Sequence, residues 1–334
     1  MIRRGYLALT LALGSGVATA ALPSLELPVR CALPRECFIQ NYVDHDSGPG
    51  RRDYQCGFLS YDGHAGTDFR VRDLPAMEAG TLVVASAAGK VAGVRDGEPD
   101  VSVNERGRAA LNGKDAGNAV RIEHGDGWET QYSHLRKGSV RVRVGEQVVA
   151  GTPLGLIGLS GRTEFPHVDF VVRRAGKVVD PFNPDHADCG KAKSSLWSAA
   201  ALQALDYVAS GELIAGFSTE PARREAAEAG QYAMTTIAGD VPLLAFWVEL
   251  FGVLPGDRLQ MRIEDAAGQV IARGESQVER PMAIWFGQVT RRDPGKGVKA
   301  PINRRFVGVL AWQRNGRELT QVRREIIMRD DNAH

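Results

Sequence analysis

Three short segments hold the residue types that carry out hydrolytic chemistry: Gly63-His64-Ala65-Gly66-Thr67-Asp68, Tyr132-Ser133-His134-Leu135 and Pro166-His167-Val168-Asp169-Phe170. Each sets imidazoles or carboxylates among β-forming neighbours. Residues two apart on a strand project to one face, so His167 and Asp169 are expected to point together, and His64 can join Asp68 across a short turn. Imidazole nitrogen and carboxylate oxygen are the ordinary ligands of a hydrolytic zinc, which keeps three protein ligands and one open position for water. A lone histidine in a strand is more often structural, and that reading is kept for His124, His186 and His334. Upstream, Asp44-His45-Asp46 puts an imidazole between two carboxylates, which reads either as a cap over the groove or as a solvated turn before Gly48-Pro49-Gly50.

The elements that must position these groups are strands. From Gly63 to Asp180 short β-branched runs alternate with glycines: 81–86, 90–94, 119–123, 129–133, 140–144, 147–149 and 168–173. That spacing predicts an all-β sandwich or barrel-like domain. The polar, glycine-dotted stretch 96–117 between two of these runs reads as a long surface loop. Around 194–210 the pattern changes, with Leu196, Ala199, Ala200, Leu202 and Leu205 at three- and four-residue intervals, so a connector helix is expected. Runs at 243–251, 258–264, 269–272, 283–288, 306–314 and 318–328 then read as strands of a small antiparallel sandwich in which nothing clusters His, Cys and carboxylates.

The first twenty residues have the layout of a secretory signal peptide: Arg3 and Arg4, an apolar centre from Tyr6 to Leu13, then Val17-Ala18-Thr19-Ala20. The remaining length, about 310 residues, exceeds what one core usually serves, so two domains are expected. Charge gives no footprint for nucleic acid, with 41 Lys plus Arg against 40 Asp plus Glu, or 39 against 40 once Arg3 and Arg4 are removed. Four cysteines in an exported chain favour disulfides. Three pairings are possible. Cys31 with Cys37 and Cys56 with Cys189 is the expected set, because one closes a short loop and the other ties together the two ends of the first domain.

The ordered set His64-x-x-x-Asp68, Gly117-Asn118-x-Val120, Tyr132-x-His134-Leu135, Val-x-x-Gly-x-x-Val, Pro166-His167-x-x-Phe170 and Val179-Asp180-Pro181 resembles the lysostaphin-type, LytM-like zinc metallopeptidases over roughly residues 60–184. Any one fragment is weak; their order is specific. The resemblance implies a duplicated-hybrid-motif β fold for that segment; with the antiparallel β-sandwich-like domain read from the later strand runs, the chain is expected to be mainly β. The resemblance also implies one zinc per chain and hydrolysis of stem or cross-bridge peptides of peptidoglycan in the periplasm or outside the cell. The expected organisation is a signal peptide at 1–20, an irregular lead-in at 21–62, the metallopeptidase domain at 63–190, a helical connector at 191–215 and an accessory domain at 216–334.

Carried over by position, the resemblance makes His64, Asp68 and the residue at 169 the metal ligands, and makes His134 and His167 the pair that handles protons and the oxyanion. At 169 the family pattern has histidine and this chain has Asp169. Either the carboxylate ligates, giving a formally neutral site that activates water less and admits a harder divalent ion than zinc, or it falls short and the domain is a degenerate binding module. Hence two functions stand open: a peptidoglycan endopeptidase, or a lysostaphin-like regulator that binds and activates another cell-wall hydrolase. The C-terminal domain is left as a spacing or binding module for another envelope protein.

Overall fold

The computed structural model describes residues 24–239, 241–293 and 303–329; the expected signal peptide and His334 lie outside them. Among the described residues strands account for 44% and helices for 8%, in several largely antiparallel sheets. Among the described residues no helix is long and apolar enough to cross a membrane.

The first half runs β1 (Cys37–Asn41), β2 (Thr67–Val71), α1 (Leu74–Ala79), β3 (Leu82–Val84), β4 (Gly89–Arg95), α2 (Val103–Arg106), β5 (Asn118–Gly125), β6 (Trp128–Leu135), β7 (Gln147–Val148), β8 (Pro153–Leu156), β9 (His167–Arg174) and β10 (Lys177–Val178). One large sheet has the order β1-β2-β9-β6-β5-β4-β7, with β10 paired to β9 and a small β3-β8 sheet beside it. Every contact along β2, β9 and β6 is antiparallel, so the three sequence segments that carry imidazoles and carboxylates become neighbours. Val120, Ile122, Tyr132, Leu154, Val168, Phe170 and Val172 fill the core beneath them.

Several local expectations are corrected. The lead-in is not irregular throughout, because β1 extends the large sheet as its edge next to β2. The run 140–144 forms no strand. Its valines alternate with arginines, Val144 is exposed, and the segment turns at Gly145 instead of pairing along its length. The 96–117 loop is ordered by α2, a 3-10 turn at Arg108–Leu111 and an Asp100–Ser160 bridge. The expected connector helix shrinks to α3 (Ala199–Leu202), capped by Ser198. A four-residue helix has little stability of its own; what holds this segment is burial of Leu196, Trp197 and Leu205 in the first core.

The second half comprises β11 (Gly211–Ser218), α4 (Arg224–Glu228), β12 (Thr236–Ala238), β13 (Leu243–Val253), β14 (Arg258–Glu264), β15 (Val270–Gln277), β16 (Met282–Arg292), β17 (Asn303–Arg314) and β18 (Arg317–Arg329). A three-stranded sheet β11-β13-β16 packs on a five-stranded sheet β12-β18-β17-β14-β15, a sandwich that is antiparallel as expected except where β12 joins β18 in parallel. Strand β13 explains how the two halves join. On one face Leu244, Phe246, Val248 and Leu250 enter the sandwich core, while on the other Trp247 and Phe251 enter the core of the first half. The period of two on a pleated strand thus buries both faces and accounts for its near-continuous apolar run. Both disulfides follow the expected pairing, Cys31–Cys37 and Cys56–Cys189.

Candidate metal centre

Register on β2 and β9 builds the site. Asp68 stands opposite Asp169, and Arg70 stands opposite His167, so four chemically active side chains occupy one face of two adjacent strands. Ser133 of β6 lies opposite Asp169 on the other side. Simple alternation would then send His134 to the far face. It does not, because His134 has a φ of 63°, a left-handed conformation that is uncommon for a side chain of this size. The turn brings its ring centroid to 4.7 Å from that of His167.

His64 comes from the loop before β2. Its Nδ1–H donates to the Tyr42 carbonyl at 2.9 Å, which leaves Nε2 facing Asp68 Oδ1 at 3.2 Å and Asp169 Oδ1 at 4.0 Å. Asp68 Oδ2 accepts from Asn41 Nδ2 at 2.7 Å, and its Oδ1 lies 3.3 Å from His167 Nε2. His167 Nδ1–H is held by the Phe165 carbonyl at 2.9 Å and by Thr163 Oγ1 at 3.1 Å. His134 Nδ1–H donates to the Ser160 carbonyl at 2.7 Å. In turn Ser160 is fixed by Asn118, whose amide donates to its Oγ, while the Asn118 side chain bonds the Leu135 carbonyl. Gly117 is needed there because it has positive φ and a Cβ would meet the Ser160 carbonyl oxygen at 2.3 Å. That is the physical content of the Gly-Asn motif.

The environments drive the titrations apart. Burial alone would lower the His64 pKa, but Asp68, then Asp169 and the Tyr42 carbonyl, raise it to about 9. Burial opposes ionisation of Asp68, yet His64 and His167 hold its pKa well below the usual carboxylate range. His167 is likewise raised against its burial, by Asp68. Burial, followed by the nearby His167 charge, pushes His134 down to about 3. Burial and the adjacent Asp68 charge push Asp169 up to about 6.

A divalent cation fits this donor set. One ligand atom each from His64, Asp68 and Asp169 lie within 4.8 Å of one another, near the roughly 3.4 Å between ligands of a tetrahedral ion at about 2.1 Å. Two like-charged carboxylates facing each other across strands repel, and a cation between them would remove that repulsion. Asp169 Oδ1 is buried with no hydrogen-bond partner, so a strong acceptor has been brought to this point without protein satisfaction. Gly66 makes the approach possible, since a Cβ there would stand 1.8 Å from Asp169 Oδ1.

All five expected residues, His64, Asp68, His134, His167 and Asp169, are thus brought together. His124 bonds the Ala88 carbonyl and Thr130 and stays structural. The Asp44-His45-Asp46 cluster is a brace: Asp44 accepts from the amides of Asp46, Arg52 and Gly63, and His45 Nε2 pairs with Asp180 at 2.6 Å. Sequence reasoning missed Asn41, Tyr42, Gly66 and Arg70. Of these, only Gly66 carried a local signal, sitting inside the His-x-x-x-Asp segment.

This mainly β domain gathers three imidazoles and two carboxylates at one site, a donor set that could hold a divalent ion. Residues 62–181 match the model of Peptidase family M23, in agreement with the lysostaphin-type resemblance of the motifs in that stretch. It is 34% identical over 117 residues to the peptidoglycan DD-endopeptidase ShyA of Vibrio cholerae, covering 35% of this chain and 22% of that one. It is 40% identical over 68 residues to the cell division protein DipM of Caulobacter vibrioides, covering 20% of this chain and 11% of DipM. To the murein hydrolase activator EnvC of Escherichia coli it is 42% identical over 65 residues, covering 20% of this chain and 15% of EnvC. The chain therefore spans less than a quarter of the length of each of these relatives.

Proposed function

We propose that this chain is an exported, metal-dependent endopeptidase that hydrolyses peptide bonds of peptidoglycan in the periplasm or outside the cell. The observation that carries the reading is the convergence of His64, Asp68 and Asp169, with a buried, unpartnered Asp169 oxygen between them. These three would hold zinc or another divalent ion, which when bound supplies Lewis-acid polarisation of the scissile carbonyl and of a water. His134, kept neutral by burial and with its Nδ1 proton committed to Ser160, offers an unprotonated Nε2 as the proton acceptor. His167, biased toward its charged form by Asp68, offers an N–H donor to the oxyanion of the tetrahedral intermediate.

One observation favours a second reading. Asp169 replaces the histidine of the family pattern, and EnvC, a murein hydrolase activator by name, is among the relatives. In that reading the chain binds and activates another cell-wall hydrolase through the shape of its groove. Incubating purified sacculi with the metal-supplied chain, with Asp68→Ala and with Asp169→His separates the two. Loss of cross-linked muropeptides with the parent but not with Asp68→Ala supports the peptidase. No digestion by any of the three, with stimulation of an added hydrolase, supports the activator.

A further inference from the structure

Arg70 is completely buried two residues after Asp68. A guanidinium removed from water is tolerated only with a carboxylate partner and its donors filled. All three of its donor nitrogens are engaged: Nε to the Val71 carbonyl, Nη1 to Gln40 Oε1, and Nη2 to Glu228 Oε1 at 3.3 Å. Among the described residues Glu228 is the one carboxylate in ion-pair contact with it. Glu228 belongs to α4 in the second half, outside the M23 match. It is oriented there by Arg224, which also binds the fully buried Glu249 of β13. The charge that stabilises Arg70 thus comes from the C-terminal module.

What Arg70 does on its own side of the boundary is equally specific. It is the cross-strand partner of His167. Its guanidinium carbon lies 4.6 Å from the centroid of the Phe165 ring, and that ring lies 4.6 Å from the imidazole of His167. The Phe165 carbonyl also accepts the His167 Nδ1 proton. Phe165 therefore touches both the buried guanidinium of Arg70 and the imidazole of His167.

From this geometry we infer that Arg70 is a positioning residue for His167, and that the C-terminal module completes the peptidase groove by supplying Glu228 as the counter-ion of Arg70. The module is then part of the site's construction and not only a spacer. The inference rests on the peptidase reading for the importance of His167, and its test separates the two.

In the full-length chain, Glu228→Gln keeps the shape and removes the charge, whereas Arg70→Lys keeps the charge and loses the planar fork. Imidazole ¹⁵N spectra, assigned by His167→Gln, report the position of His167 whether or not the chain hydrolyses anything. Both variants are expected to shift or broaden the His167 resonances more than those of His64. With peptidoglycan fragments, kcat is expected to fall about fivefold or more while KM stays within twofold, since only an interaction with the reacting centre is loosened. Glu275→Gln, which removes the exposed partner of Arg258 on the far sheet, should change neither readout. Should Glu228→Gln fail to fold, Arg70→Lys decides on the same criteria. Folded variants with parental His167 resonances would overturn the inference. A chain inactive on peptidoglycan whose His167 resonances nevertheless move would sustain the positioning role and defeat the peptidase reading alone.

Discussion

Replacing Gly66 by alanine adds one methyl group and is expected to weaken metal binding about a hundredfold or more. A Cβ at this position stands 1.8 Å from Asp169 Oδ1 and 3.0 Å from Val171 Cγ2, and real Cβ atoms essentially never come within 3.0 Å of such a neighbour. The Asp169 carboxylate must then retreat by about 1.2 Å, several times the roughly 0.2 Å that a metal–ligand bond tolerates. The backbone itself admits alanine, because Gly66 is not among the glycines with positive φ, so the cost to the fold is confined to overpacking, about 1–3 kcal/mol. Displacing a ligand outright should weaken zinc binding at least as much as the 10–100-fold seen for outer hydrogen-bond partners. The expectation is about a hundredfold or more, near 2.7 kcal/mol. Competition with a chromophoric chelator measures the affinity, and thermal melts measure the fold. The double variant Gly66→Ala with Asp169→Ala should regain the parental melting temperature without regaining metal, because the clash is relieved and the ligand is gone. Parental zinc affinity in Gly66→Ala would refute the reasoning, since Asp169 could not then be ligating where the structure puts it.

Asp169→His restores the family's imidazole and raises the formal charge of the site from zero to plus one; zinc affinity is expected to rise about tenfold or more, read in the same competition assay. Zinc uptake should release protons, because His64, with a pKa of about 9, must lose its proton to ligate. Calorimetry in buffers of different ionisation enthalpy would reveal this, and a buffer-independent heat would contradict it. Burial and the neighbouring Glu228 charge raise Glu249 from 4.5 to about 7, so its folded form holds a proton the unfolded chain releases. That stability is complete below pH 4.5 and lost as pH rises through about 7, on the order of 3 kcal/mol. Glu249→Gln should flatten this part of the stability curve relative to the parent. Reduction of Cys56–Cys189, which spans 133 residues, should cost about 5 kcal/mol against about 2 for Cys31–Cys37, which spans six; equal losses in Cys→Ser pairs would count against the chain-entropy account.

The site was legible from sequence to the extent that its chemistry is local. His64 with Asp68, and His167 with Asp169, are each held within one loop-and-strand segment, so residue type and the two-residue strand period place them. His134 was legible by motif but not by geometry, because its side reverses only through its left-handed φ. Asn41 and Tyr42 were illegible, since their contacts with Asp68 and His64 cross 27 and 22 residues and depend on β1 pairing with β2. In the same way Arg70 reads as an ordinary strand arginine until Glu228, 158 residues away, is packed against it. The run 243–251 reads as a strand, but not as one whose two faces serve two different cores. The expected helix around 194–210 forms only at Ala199–Leu202, because tertiary burial of Leu196 and Trp197, not helical periodicity, fixes the rest of that segment.

Elemental analysis of the purified full-length chain, beside Asp68→Ala, tests the metal centre most directly. The account predicts about one zinc or comparable divalent ion per chain in the parent and none in the variant, even though both fold. A parent that stays empty in metal-supplemented buffer would contradict the catalytic reading and leave the activator as the better account.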